Sequence, residues 1–158
     1  MIPTTSTTLT TDLTIETSPT KDYKLNIDHK ISVIERGKNL IPFPYAAGGV
    51  GTVKKSYGIT YTVNSDGSIK AEGTSTGWAS FNLGANFNLK DGVRYNLSGD
   101  VIIRYLKDGK TSWFSNSMSF VWKKEYILDY VYIQYANGQV ANTTHYPRIE
   151  EASEVKTE

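Results

Sequence analysis

YGITYTVNSDGSIKAEGTSTGWASFNLGANFNLKDGVRYNLSG, running from Tyr57 to Gly99, is the stretch that decides the fold. Tyr57, Ile59, Tyr61 and Val63 fall on one face, with Gly58, Thr60 and Thr62 on the other, and this two-residue beat is that of a half-buried β-strand. Asn64-Ser65-Asp66-Gly67 then offers residues that tolerate positive φ, after which Ile69 and Ala71 resume the beat against Lys70 and Glu72. The reading is a β-hairpin. A small polar loop leads to a further strand through Phe81 and Leu83, and the turn Asp91-Gly92 to another through Tyr95 and Leu97.

Working outward, the same rhythm continues on the C-terminal side. Val101 to Tyr105 reads as a strand, Asp108-Gly109 as a turn and Thr111 to Asn116 as the returning strand. Met118, Phe120 and Trp122 share one phase, Lys123-Lys124-Glu125 is a polar break with room for a single helical turn up to Tyr126, and Ile127 to Tyr135 forms a strand closed by Asn137-Gly138. Thr143 to Ile149 gives the last strand. Four Asp-Gly or Asn-Gly pairs punctuating short alternating runs predict an all-β protein, an antiparallel jelly-roll-like β-sandwich of about eight strands. Its inward side chains should be Ile59, Tyr61, Ile69, Ala71, Phe81, Leu83, Tyr95, Leu97, Val101, Ile103, Phe120, Val131 and Ile133. Trp113 and Phe114 are adjacent, so only one of them can be core; Trp122 follows the phase of Phe120 and should be buried.

On the N-terminal side, Ala46 to Thr52 with three glycines is a loop, and Leu40 to Tyr45 is held extended by Pro42 and Pro44, as suits a sheet edge. Arg36 to Asn39 marks a boundary. Tyr23 to Ile34 alternates as a second hairpin or pair of linker strands (residues 23–36). Residues 1–22 hold nine threonines and little to bury apart from Leu9, Leu13 and Ile15, which makes them an arm that orders against a partner, with those three side chains as its docking contacts. Residues 37–152 form the sandwich, and 153–158 are a charged tail.

The totals narrow the function classes. The 158 residues suffice for a core that needs no covalent staple, and with no cysteine there is neither a disulfide nor a thiolate site. Seventeen basic against sixteen acidic residues give a formal charge of +1, so nothing favours nucleic acid or an anionic membrane as partner. No apolar run is long enough to span a bilayer, and MIPTTSTTLTTD has neither the basic nor the apolar region of a secretory signal. His29 and His145 lack metal-ligand spacing and read as surface or turn residues. Among the loop carboxylates Asp66, Asp91, Asp100 and Asp108, turn chemistry accounts for all but Asp100, so neither a calcium site nor any other metal or cofactor is expected. The glycine-rich tract Gly48 to Lys55 has the wrong spacing for a phosphate loop. No nucleophile motif appears, and catalysis is not expected.

Six pieces of the chain resemble one family in the right order: Gly37-Lys38-Asn39-Leu40-Ile41-Pro42, Ile59 to Ile69 with Gly73-Thr74, Trp78 to Leu83, Tyr95-Asn96-Leu97-Ser98-Gly99, Val131-Tyr132-Ile133-Gln134, and Tyr146 to Glu151. Over residues 37–152 the chain is similar to the carbohydrate-binding-module-like β-sandwich domains of tail, baseplate and fibre proteins of bacteriophages and prophages of Gram-positive bacteria. Thr17 to Ile27 is similar to the N-terminal arm of a phage baseplate protein family, although the acidic-glycine turn and helical domain that follow there are absent here.

The resemblance implies a virion structural protein, made in the bacterial cytoplasm, whose arm docks on other virion proteins and whose sandwich, in several copies as a homo-oligomer, displays a host-wall glycan site. Sugars are recognised by aromatic faces flanked by amides and carboxylates. The residues out of phase with the core, Trp78, Asn82, Tyr130, Tyr132 and Gln134, are the candidate sugar face. The same five also suit packing on the arm, on a neighbouring subunit or on a second sheet. The alternatives are a virion assembly or decoration protein without glycan binding, and a glycan-degrading enzyme.

Overall fold

The computed structural model describes residues 37–115 and 118–152, and among these described residues there are eleven antiparallel strands. The expected docking contacts Leu9, Leu13 and Ile15, the hairpin of residues 23–36, His29 and the charged tail lie outside the described residues. The strands are β1 (Val53–Ser56), β2 (Ile59–Val63), β3 (Ile69–Thr74), β4 (Ala79–Asn82), β5 (Arg94–Ser98), β6 (Ile102–Lys107), β7 (Lys110–Phe114), β8 (Ser119–Val121), β9 (Ile127–Tyr135), β10 (Val140–His145) and β11 (Arg148–Glu151). Hydrogen bonding orders them as β1-β2-β3-β10, β11-β5-β8 and β4-β9-β6-β7.

The first two sets are halves of one layer. β10 and β11 are consecutive and are interrupted only at Tyr146-Pro147, where the proline has no N–H to give to a ladder. At this kink the backbone of Gly99 comes so close that a Cβ there would lie 2.1 Å from the Tyr146 carbonyl oxygen, and its φ of +73° suits glycine alone. Counting β10 and β11 as one bent strand, the layer β3-β10/β11-β5-β8 faces β4-β9-β6-β7. The chain crosses between the layers at nearly every step, which is the eight-stranded jelly-roll order, with β1 and β2 added beside β3.

Three local expectations are corrected. The strand foreseen to start at Tyr57 starts at Ile59, because Tyr57-Gly58 is the two-residue turn between β1 and β2, with φ of +41° and +82°. The Asp91-Gly92 turn, read as the whole link between the strands through Phe81 and Tyr95, is the end of a longer crossover from Asn82 to Arg94; β4 pairs with β9 and β5 with β11 and β8, since a jelly roll sends them to opposite layers. The single final strand is divided by Pro147.

Every residue expected to point inward is buried, and they pack with Ile41, Tyr45, Tyr105, Trp122, Ala141 and Ile149 into one core. Phe81 sits at its centre, with the Tyr61 ring at 5.5 Å and the Tyr45 ring edge-on at 6.1 Å. Trp122 is buried as expected. Of the adjacent pair, Phe114 packs on the core against Phe120 and Tyr105, and Trp113 faces outward. Met118, expected in phase with Phe120, precedes β8 and is partly exposed.

Phe81→Ala is expected to cost about 3–5 kcal/mol of unfolding free energy, read as a shift in the urea midpoint. A second prediction concerns Tyr61, whose hydroxyl donates to the Ala79 carbonyl at 3.0 Å and whose phenol burial pushes well above its ordinary value. Below about pH 10 the phenol is protonated in both the folded and unfolded chain. Above that pH the unfolded chain ionises first, so the stability contributed by the buried phenol is lost as pH rises towards the folded pKa. Tyr61→Phe is expected to lower stability at neutral pH and to shallow its alkaline decline, measured by urea unfolding from about pH 8 to about pH 11.

Candidate functional site

The alternation that sends Phe81, Ile103, Val131 and Ile133 into the core sends their neighbours to the outer face of the layer β4-β9-β6-β7. Register sets them in rows: Ser80 opposite Gln134; Asn82 opposite Tyr132, itself opposite Ile102; and Tyr130 opposite Arg104, itself opposite Trp113. Trp78, two residues before Ser80, stands at the entrance to β4.

A β-bulge modifies this pattern. Arg104 pairs with Tyr130 but Tyr105 pairs with Leu128, which leaves Asp129 as the extra residue on β9. In a regular strand Asp129 would share the inward phase of Val131; the bulge turns it to solvent and lets Leu128 pack on the core instead. Its carboxylate accepts from Arg104 Nε at 2.6 Å, and the Arg104 guanidinium lies over the Tyr130 ring, 5.2 Å from its centroid. The Arg104 charge is thereby matched.

Between these rows lies a groove of about 440 Å³ lined by Trp78, Ile102, Arg104, Trp113, Ser115, Tyr132 and Gln134. Two indoles in this lining, Trp78 and Trp113, expose 65% and 55% of their surface, whereas Tyr132 is only 6% exposed. Burial raises the Tyr132 phenol pKa, opposed in part by the Trp113 indole N–H and the Arg104 charge, so at neutral pH it is protonated. Two exposed indoles, a buried phenol and a few polar groups from Gln134, Ser115 and Arg104 suit a ligand that has both C–H faces and hydroxyls.

Of the five residues singled out from the sequence, Trp78, Tyr132 and Gln134 line this groove. Tyr130 adjoins it, its ring 5.2 Å from that of Tyr132. Asn82 lies on the same face outside the lining, its Oδ1 accepting from Gly84 N at 2.9 Å. Tyr132 was expected outward and is on the outward face, but its neighbours cover it. Ile102, Arg104 and Ser115 were not foreseen; they enter through the β6-β7 hairpin, whose Asp108-Gly109 turn fixes the register that brings Arg104 opposite Trp113.

A larger groove of about 550 Å³ is lined by Asn39, Asp66, Asp100, His145, Arg148 and their neighbours, and these five hydrogen-bond to other groups of the chain. Asp66 accepts from the Ser68 N–H and hydroxyl, and these bonds hold its carboxyl below the ordinary range. Arg148 donates to Glu150 and to the Gly37 carbonyl. Asn39 donates to the Pro147 carbonyl and accepts from Ile149 N. His145, expected on the surface or in a turn, is 4% exposed. Its Nδ1 donates to Asp100 at 2.9 Å, so in the neutral ring Nε2 accepts from the Tyr135 hydroxyl at 2.7 Å. Asp100, the one loop carboxylate that turn chemistry did not account for, adopts φ of +59° and anchors this chain. Among the described residues no group of three or more His, Cys, Asp or Glu converges as a metal site.

Comparison of the chain with family models, with curated proteins and with solved structures finds no match.

His145→Ala leaves the Tyr135 hydroxyl without its acceptor and Asp100 without its donor. The expected loss is about 1–3 kcal/mol of unfolding free energy, seen as a lower urea midpoint.

Proposed function

We propose that the sandwich is a glycan-binding module that acts without turnover, and that it is carried on a bacteriophage virion to hold the particle on the wall of a Gram-positive host. One observation carries the binding reading: two exposed indoles, a buried phenol, an amide, a hydroxyl and a guanidinium line one groove. Pyranose rings present apolar C–H faces to aromatic walls and direct their hydroxyls sideways to such groups. Arg104 is paired with Asp129, so the groove favours a neutral sugar over a phosphorylated one.

Among the described residues the lining contains no Asp or Glu, whereas glycoside hydrolysis in most families uses two carboxylates flanking the scissile bond. This supports binding over cleavage. The virion assignment rests on the resemblance of residues 37–152 and of the threonine-rich arm to phage proteins. In that setting the arm through Leu9, Leu13 and Ile15 docks on other virion proteins, and several copies turn weak single-site affinity into avidity.

The test is calorimetric titration with wall polysaccharide purified from a Gram-positive bacterium. The parent is expected to bind, and Trp78→Ala and Trp113→Ala each to weaken binding roughly tenfold or more, about 1.4 kcal/mol per decade, with unfolding midpoints unchanged. Absence of binding by the parent, or binding as tight as the parent's by both variants, overturns the proposal; release of reducing ends from the polysaccharide would replace it with the enzyme.

A further inference from the structure

The turn joining β1 to β2 has an unfavourable residue in a demanding place. Ser56 pairs with Ile59, leaving Tyr57 and Gly58 as a two-residue loop with positive φ at both positions. That geometry selects Asn, Asp or Gly at its first position, and the chain uses Asn-Gly or Asp-Gly at four other turns. A tyrosine at φ of +41° is strained, because its Cβ crowds the backbone. Burial does not compensate, since Tyr57 is 64% exposed.

The surroundings nevertheless fix this ring in place. Tyr57 O accepts from Thr76 N at 2.8 Å, and Ser56 Oγ accepts from Ser80 N at 3.3 Å, so the turn is tied to the segment that opens β4. Gly58 and Gly73 approach so closely that a Cβ on Gly73 would lie 2.3 Å from the Gly58 carbonyl oxygen. The Tyr57 ring lies over Gly77, where a Cβ would come within 2.7 Å of a ring carbon. Gly77 precedes Trp78, which lines the aromatic groove.

β4 is an edge of its sheet, with β7 at the other edge. The groove, whose lining includes Trp78 just before β4 and Trp113 on β7, therefore crosses three strand spacings, about 14 Å, and the Ser80 N to Ser56 Oγ bond and the Tyr57 ring at Gly77 set the Tyr57 turn beside the start of β4. One sugar ring cannot span that width. We propose that Tyr57 contacts ligand as an outer subsite of the groove, and that the ligand is an extended glycan chain laid across the strands and not a single terminal sugar. This rests on the glycan-binding reading above and adds to it a residue and a ligand class. The strained turn is retained for the ring it presents, and stability is given up for it.

The test compares the parent with Tyr57→Asn, which restores the favoured Asn-Gly turn, and with Trp78→Ala. Each is titrated with disaccharide and with hexasaccharide fragments of wall polysaccharide purified from a Gram-positive bacterium, and its melting temperature is measured. Tyr57→Asn is expected to melt at the parent's temperature or higher, to bind the hexasaccharide at least roughly fivefold more weakly, about 1 kcal/mol, and to bind the disaccharide as the parent does. A lower melting temperature would make the ring a packing element on Gly77 and overturn the proposal. Unchanged hexasaccharide binding, or equal losses for both fragments, would also overturn it. If neither fragment binds the parent, or Trp78→Ala binds both as the parent does, the glycan reading itself fails and this inference with it; loss in Trp78→Ala with parental binding in Tyr57→Asn removes the outer subsite alone.

Discussion

The two-residue period of β9 is the constraint on which both core and groove depend. Val131 and Ile133 enter the core between Phe81 on β4 and Ile103 on β6, and this fixes the sides to which Tyr130, Tyr132 and Gln134 turn. A register slip of one residue would bury the groove's polar and aromatic groups and expose the core. The hydrophobic effect that holds the sandwich together is thus also what points the site outward. No separate device is needed to hold the buried phenol of the groove: Tyr132 is packed among Ile102, Trp113 and Tyr130 by the register alone.

The bulge at Asp129 is the one interruption of that period in β9. It turns a carboxylate outward where alternation would have buried it, and it places that carboxylate against Arg104. The pair is partly exposed, so its contribution to stability is small. Its consequence is electrostatic: an unpaired guanidinium beside two indoles would favour anionic ligands, and the pairing leaves an aromatic surface with little net field.

Much of this was legible in the sequence because alternation and Asx-Gly turns are local signals. The inward set from Ile59 to Ile133 could be assigned from phase alone, and phase also put Trp78, Tyr132 and Gln134 on one outward face. What phase cannot supply is which strands are neighbours. Trp113 and Arg104 join the groove only because β6 lies between β9 and β7, a non-local pairing, and Leu97 with Phe81 look like hairpin partners until the jelly-roll order separates them. His145 was misplaced for a related reason. Its own neighbours, Thr144 and Tyr146, are those of a surface strand, whereas its burial is made by Asp100 and Tyr135, which arrive from 45 and 10 residues away.

The contrast between the two grooves separates structural polarity from a binding site. Around His145 the named polar groups have partners within the chain, and among the described residues no buried side-chain nitrogen or oxygen lacks one. A ligand that bonded the buried His145 ring there would have to displace Asp100 or Tyr135, and each broken bond to a buried group carries its desolvation cost. Trp78 and Trp113 form no such closed set. They hold exposed apolar area against water, at a cost proportional to that area, in a molecule that buries Phe81, Tyr61 and Tyr95 without difficulty. Covering the faces of those two indoles recovers free energy without breaking any of the internal hydrogen bonds named above, and this, more than volume, is the physical difference between the two grooves.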